Sequence, residues 1–129
     1  MESNVKDNGV IRKFDTGATR DTSENKLDFE AILCPAVLHR YTEYMNGCRK
    51  QSDGTLRDGD NWQKGIPIEV YTKSLIRHVM DVWLLRRNHK KRAVVKCMQT
   101  ALCAVIFNAM GLLHELLLEQ ERIENDNKN

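Results

Sequence analysis

This chain predicts an all-α fold, a small bundle of three main helices, and three observations predict it. Apolar residues recur at helical spacing in three stretches, after Pro35, after Pro67 and after Ala93. No segment alternates apolar and polar residues in a way that demands a sheet, and no internal repeat is present. Gly47, Asp53-Gly54 and Asp58-Gly59 break the chain between the first two stretches into a loop of about fifteen residues, a length usually reserved for function.

The elements follow in order. Residues 1–31 are polar and without sustained period, and read as an extended arm whose Leu27 and Phe29, with Ile32 and Leu33, anchor it to the body. Residues 32–122 form the single helical domain and 123–129 a frayed tail. Pro35 suits a first helical turn, and Leu38, Tyr41, Met45 and Cys48 continue that helix to about Arg49. Pro67 opens the second helix, which runs to about Arg86 with Ile68, Tyr71, Leu75, Val79, Val82 and Trp83 as its buried stripe. The third runs from about Ala93 to Arg122 with a possible break at Gly111. It is apolar nearly all round between Ala101 and Leu118, so it needs cover on most sides. Pairing with a second copy supplies that cover, and Ala101, Ala104, Asn108 and Gly111 share a face small enough for close approach. A homo-oligomer is therefore expected.

Composition narrows the function. A hydrophobic fraction of 41% and a charged fraction of 29% belong to a soluble globular chain. Twenty Lys and Arg against 18 Asp and Glu leave +2, too little to point to nucleic acid. The basic run 86–92 carries no interleaved aromatic, so base stacking is not offered there and nucleic acid is not an expected partner. Cysteines 34, 48, 97 and 103 form no CxxC pair and no zinc spacing, and read as reduced thiols. Residues 1–8 lack the apolar core of a secretory signal. The run 97–118 is interrupted by Gln99, Asn108, His114 and Glu115, so no membrane span is expected and the location is cytoplasmic.

Chemistry concentrates in the loop and the second helix. Asp58, Asp60, Asn61, Trp62 and Lys64 crowd one polar segment, and turns rarely carry both a large aromatic and a Lys. Arg77, His78 and Asp81 lie within one helical turn. They read either as a metal or phosphate site or as an Arg77–Asp81 ion pair with a core histidine. Glu43, four residues after His39, joins them only if the first two helices pack side by side, which would give oxygen ligands for Mg²⁺ or Mn²⁺. Asn108, buried among apolar neighbours, must find a hydrogen-bond partner, a structural one or a ligand. Residues 16–21, with Arg20, and then Lys26 offer cations and small residues that could cover an anion. The phosphate-loop, dinucleotide, nucleophile-elbow and HExxH motifs are all missing.

Arg20-Asp21-Thr22, Lys26 to Glu30, Tyr44-Met45, Asp60 to Ile66, Arg77-His78, Ala101 to Asn108 and Gly111 to Glu115 together resemble a group of small phage and prophage proteins. That group is described as dATP/dGTP diphosphohydrolase-like, after the enzyme's N-terminal domain, and is broadly similar to the MazG-like all-α pyrophosphohydrolases. The likeness covers roughly residues 12–118. It implies metal-dependent hydrolysis of purine nucleoside triphosphates to monophosphate and pyrophosphate with Mg²⁺ or Mn²⁺. Glu43, His78 and Asp81 would be the metal ligands, His78 and Asp81 the catalytic pair. Arg20, Lys26, Lys64 and Arg77 would neutralise phosphates, Trp62 would stack on the base, and Asn61 and Asn108 would bond base or sugar. Two departures stand out. The only ExxE is Glu121 to Glu124, and residues 86–92 carry cations where such enzymes carry carboxylates. The alternative is a non-catalytic helical module that binds a nucleotide or a host protein.

Overall fold

The computed structural model describes residues 10–22 and 25–128. It is 61% helical and divides into two units, Met1–Cys34 and Pro35–Asn129. The all-α expectation is corrected in the first of these. Strands β1 (Ile11–Lys13) and β2 (Thr19–Asp21) pair antiparallel, Ile11 opposite Asp21 and Arg12 opposite Arg20. Gly17, at φ +90°, makes the turn that a side chain would strain, and its amide donates to Phe14 at 2.8 Å. The segment expected to lie over an anion is thus a hairpin tip. A single turn of helix, α1 (Phe29–Ile32), follows, with Asp28 accepting from the Ala31 amide. None of α1 is buried, and Leu27 and Phe29, expected to be covered, are exposed.

The second unit holds the three expected helices. Helix α2 spans Pro35–Gly47, α3 spans Ile68–Arg86 and α4 spans Met98–Lys128. The core is the seam between α3 and α4. Tyr71, Ala101, Ala104, Asn108 and Gly111 are buried there, and Cys103 is buried on the flank of α4 near Tyr41 and Tyr44 of α2. A Cβ added at Gly111 would fall on the Tyr71 ring, so this glycine exists to let that ring lie against α4. Gly111 therefore causes no break: α4 is continuous and its last turns, expected to fray, are helical to Lys128. The small-residue face assigned above to a second copy is occupied within the monomer by α3.

Helix α4 starts later than expected because Asp81 organises the residues before it. Its two carboxylate oxygens accept from the amides of Val94 (2.9 Å) and Val95 (3.3 Å), and Ala93 is fully buried beside them. The Lys96 ammonium turns inward onto the carbonyls of Lys90, Lys91 and Ala93. These bonds hold 93–97 in an irregular stretch bent at Val94 and Val95. The stripe expected on α3 is half right: Tyr71 is buried and Leu75 and Val82 half-buried, but Ile68, Val79 and Trp83 face outward. Among the described residues one helix, α4, is long and apolar enough by length and composition to cross a membrane.

Candidate functional site

The loop between α2 and α3 is folded. Asp53-Gly54 turns the chain back so that Lys50 bridges Leu56, and Arg49 and Arg57 end up side by side. The Arg57 amide donates to the Arg49 carbonyl at 2.8 Å, and Arg49 Nε returns a bond to the Arg57 carbonyl at 2.9 Å. Asp53 closes the tip by accepting from both the hydroxyl (2.6 Å) and the amide (3.0 Å) of Thr55. Those two donors hold its carboxyl below the usual carboxylate range.

A short 3₁₀ turn, Asn61–Lys64, comes next, and Gly65 leaves it at φ +110°. The Ile66 amide then donates to Glu115 Oε1 at 3.4 Å, which ties the loop's end to α4. Trp62 meets the His114 ring edge-on, centroids 4.7 Å apart. His114 Nδ1 is buried without a hydrogen-bond partner, 3.9 Å from Glu115 Oε1.

These constraints open a cleft of about 130 Å³ whose walls include Tyr44, Arg49, Arg57, Asn61 and Trp62, with Phe107 behind them. Arg49 also bonds Asn46 at 3.4 Å, whereas the Arg57 guanidinium has no hydrogen-bond partner among the described residues. Burial pushes the Tyr44 phenol well up, and a bond to Cys48 adds to the effect. Burial likewise carries Tyr41 up to about 12. Tyr44 is therefore a neutral donor at the cleft. An aromatic ring, an amide, a phenol and two guanidinium groups line it together with the Asp58 carboxylate. That carboxylate offsets one of the two cations and leaves a set suited to a flat ring bearing an anionic group on the arginine side.

The residues singled out from sequence fare differently. Asn61 and Trp62 meet in this cleft, while Lys64 stands outside it, 3.9 Å from Asp58. Arg20 and Lys26 belong to the first unit, and Arg20 lies exposed on β2. Asn108 bonds the Ala104 carbonyl of its own helix at 2.8 Å. Arg77, His78 and Asp81 line a second cleft of about 230 Å³ at the far end of α3, where Arg77 bonds Ser74 rather than Asp81. Glu43 is exposed and pairs with His39 at 3.2 Å. Among the described residues no three His, Cys, Asp or Glu side chains gather as a metal site. Of the donors assigned to Mg²⁺ or Mn²⁺, His78 Nδ1 and Asp81 Oδ2 stand 3.7 Å apart, while Glu43 pairs with His39 and both Asp81 oxygens also hold backbone amides.

No protein-family model, curated protein or solved structure matches this chain. The site's reading rests on its geometry.

Sequence reasoning missed Arg49 and Arg57. The signal was present: Asp-Gly marks a tight turn, and a three-residue loop centred on Asp53 pairs position 50 with 56 and Arg49 with Arg57.

Proposed function

We propose that this chain is a helical module that binds a nucleotide at the cleft of the α2–α3 loop. The observation that carries this reading is the meeting of Trp62 and Asn61 with Arg49 and Arg57 in one cleft. The indole offers a stacking face, the amide can bond a base or sugar edge, and a guanidinium matches phosphate with two parallel donors. At about 130 Å³ the cleft is smaller than the roughly 300–1,000 Å³ of whole-ligand pockets, so it takes one group of the ligand and leaves the rest on the open surface. The resemblance to the diphosphohydrolase-like phage proteins points to the same ligand class. The hydrolytic version of this proposal needs a metal held by Glu43, His78 and Asp81, and the structural role of Asp81 favours binding without hydrolysis.

The test is calorimetric titration with dATP, dGTP, the ribonucleotides and pyrophosphate, in Mg²⁺, in Mn²⁺ and in EDTA, with pyrophosphate release followed in parallel. Binding that weakens at least tenfold in both Trp62→Ala and Arg57→Ala supports the module. No binding by folded protein, or binding indifferent to both substitutions, sinks it. Metal-dependent release abolished by Glu43→Ala or His78→Ala would reinstate the enzyme.

A further inference from the structure

Helix α4 packs on α3 along one face and meets α2 and the loop along an adjoining flank, which leaves a third face for something else. Ala101, Ala104, Asn108 and Gly111 face α3 and are buried. On the opposite side Leu102, Ile106, Ala109, Leu113 and Leu116 are spaced four, three, four and three residues apart, and Gln120 and Ile123 continue the alternation. That is the a/d spacing of a coiled-coil seam, sustained for three heptads. Among the described residues most of it is left exposed: Leu102 is 45% exposed, Leu113 56%, Leu116 46% and Ile123 52%, while Ile106 is half-buried. The seam's single polar member, Gln120, lies between Leu116 and Ile123 along the seam, the kind of position that sets register in paired helices.

Charge says what covers the seam. No carboxylate occurs between residues 82 and 114, and Arg86, Arg87, Lys90, Lys91, Arg92 and Lys96 crowd the start of α4. Its other end carries Glu119, Glu121, Glu124 and Asp126 against Arg122 and Lys128. At 1.5 Å per residue the helix separates these ends by roughly 45 Å. A parallel pair would bring like ends together. An antiparallel pair brings each cationic end toward the acidic end of its neighbour and also opposes the two helix dipoles.

We infer that the outward face of α4 is a self-association surface, on which a second copy of this chain packs its own α4 antiparallel about a two-fold axis. Positions a and d then face each other across the pair, Leu113 against the neighbour's position 116 and Ile106 against position 123. Each copy supplies both halves of the contact, so the surface closes on itself as a dimer. The nucleotide cleft is formed by the loop and the opposite flank of α4, so this inference stands whether or not that cleft binds a nucleotide.

Sedimentation equilibrium and light scattering on the full chain test the inference. The expected result is a dimer that becomes monomeric in Leu113→Arg with its helical circular dichroism unchanged. Orientation is read separately, in a background with Cys34, Cys48 and Cys97 changed to Ser. Under mild oxidation, mixed Ile106→Cys and Ile123→Cys chains should join to each other while each alone does not self-join. A monomer at every concentration up to about 100 μM would overturn the proposal. So would a dimer indifferent to Leu113→Arg, or Ile106→Cys and Ile123→Cys each self-joining, which marks a parallel pair. Partition of the monomer into phosphatidylcholine vesicles, with the seam residues protected there, would assign the face to a bilayer instead.

Discussion

Three residues take roles at the residue scale that their identities do not announce. Asp81 is a carboxylate used as a cap: it satisfies two backbone amides that would otherwise be stranded under the connector. Asp81→Ala should therefore cost about 1–3 kcal/mol in urea unfolding, and a change under half a kcal/mol would show that water replaces the carboxylate. Gly111 is a space reserved for Tyr71. Gly111→Ala should destabilise by about 1–3 kcal/mol, and pairing it with Tyr71→Val should recover part of that loss in a double-mutant cycle. Strict additivity would deny the contact. Cys97 precedes α4, and the amide and hydroxyl of Thr100 with the amide of Gln99 hold its thiol below the ordinary value. A lowered value means more thiolate near neutral pH, so mass spectrometry should find Cys97 alkylated faster at pH 7 than the exposed Cys34 and Cys48. Equal rates would refute it.

The loop is the informative case at the element scale. Its glycines, aspartates and length mark it as irregular, yet cross-bonds between residues 49 and 57 make it a small hairpin that holds two guanidinium groups at one cleft. Its tip responds to acid in a definite direction. The Asp53 carboxyl is depressed in the folded loop, so its bonds to Thr55 hold the tip above the unfolded carboxyl value and are lost as pH falls through the lower folded one. The Thr55 amide proton should titrate with a midpoint below about 3.9, the ordinary Asp value, and lose that response in Asp53→Asn. A midpoint at or above the ordinary value would show the hairpin is not closed by this residue. Gly54 stands at φ +87°, so Gly54→Ala should loosen the same tip by about 1 kcal/mol.

For the whole molecule, the number of large apolar side chains left outside is the dominant fact. Ile76, Val79 and Trp83 on α3 and Leu102, Leu113, Leu116, Leu117 and Leu118 on α4 remain exposed in the single chain. If a second copy covers part of this surface, unfolding is coupled to dissociation, and the midpoint of thermal unfolding rises with protein concentration. A midpoint constant over a hundredfold range of concentration would separate folding from association.

Much of this protein was written along the chain. The prolines at 35 and 67 and the 3.6-residue recurrence of apolar side chains set the starts of α2 and α3 nearly to the residue, because those signals are local. Helix α4, with no such proline, starts at Met98 rather than near Ala93. Asn61 and Trp62 stood out for the same reason: an aromatic and an amide in a turn-rich segment are unusual whatever surrounds them. What the periodicity left open was direction. Val79 and Trp83 fit an apolar stripe as well as Tyr71 does, and only the packing of α3 on Gly111 decided which of them turned inward. Ala101, Ala104 and Asn108 looked ready for a second copy, and α3 took them first. Arg49 and Arg57 lie eight positions apart and meet only once the turn at Gly54 closes, while Asp81 and its partners at 94 and 95 meet only once the connector folds back. The sequence by itself determined which segments are helical and which residues are unusual; tertiary structure decided which of those residues share a site, because burial and contact depend on the neighbour that arrives and not on the local code.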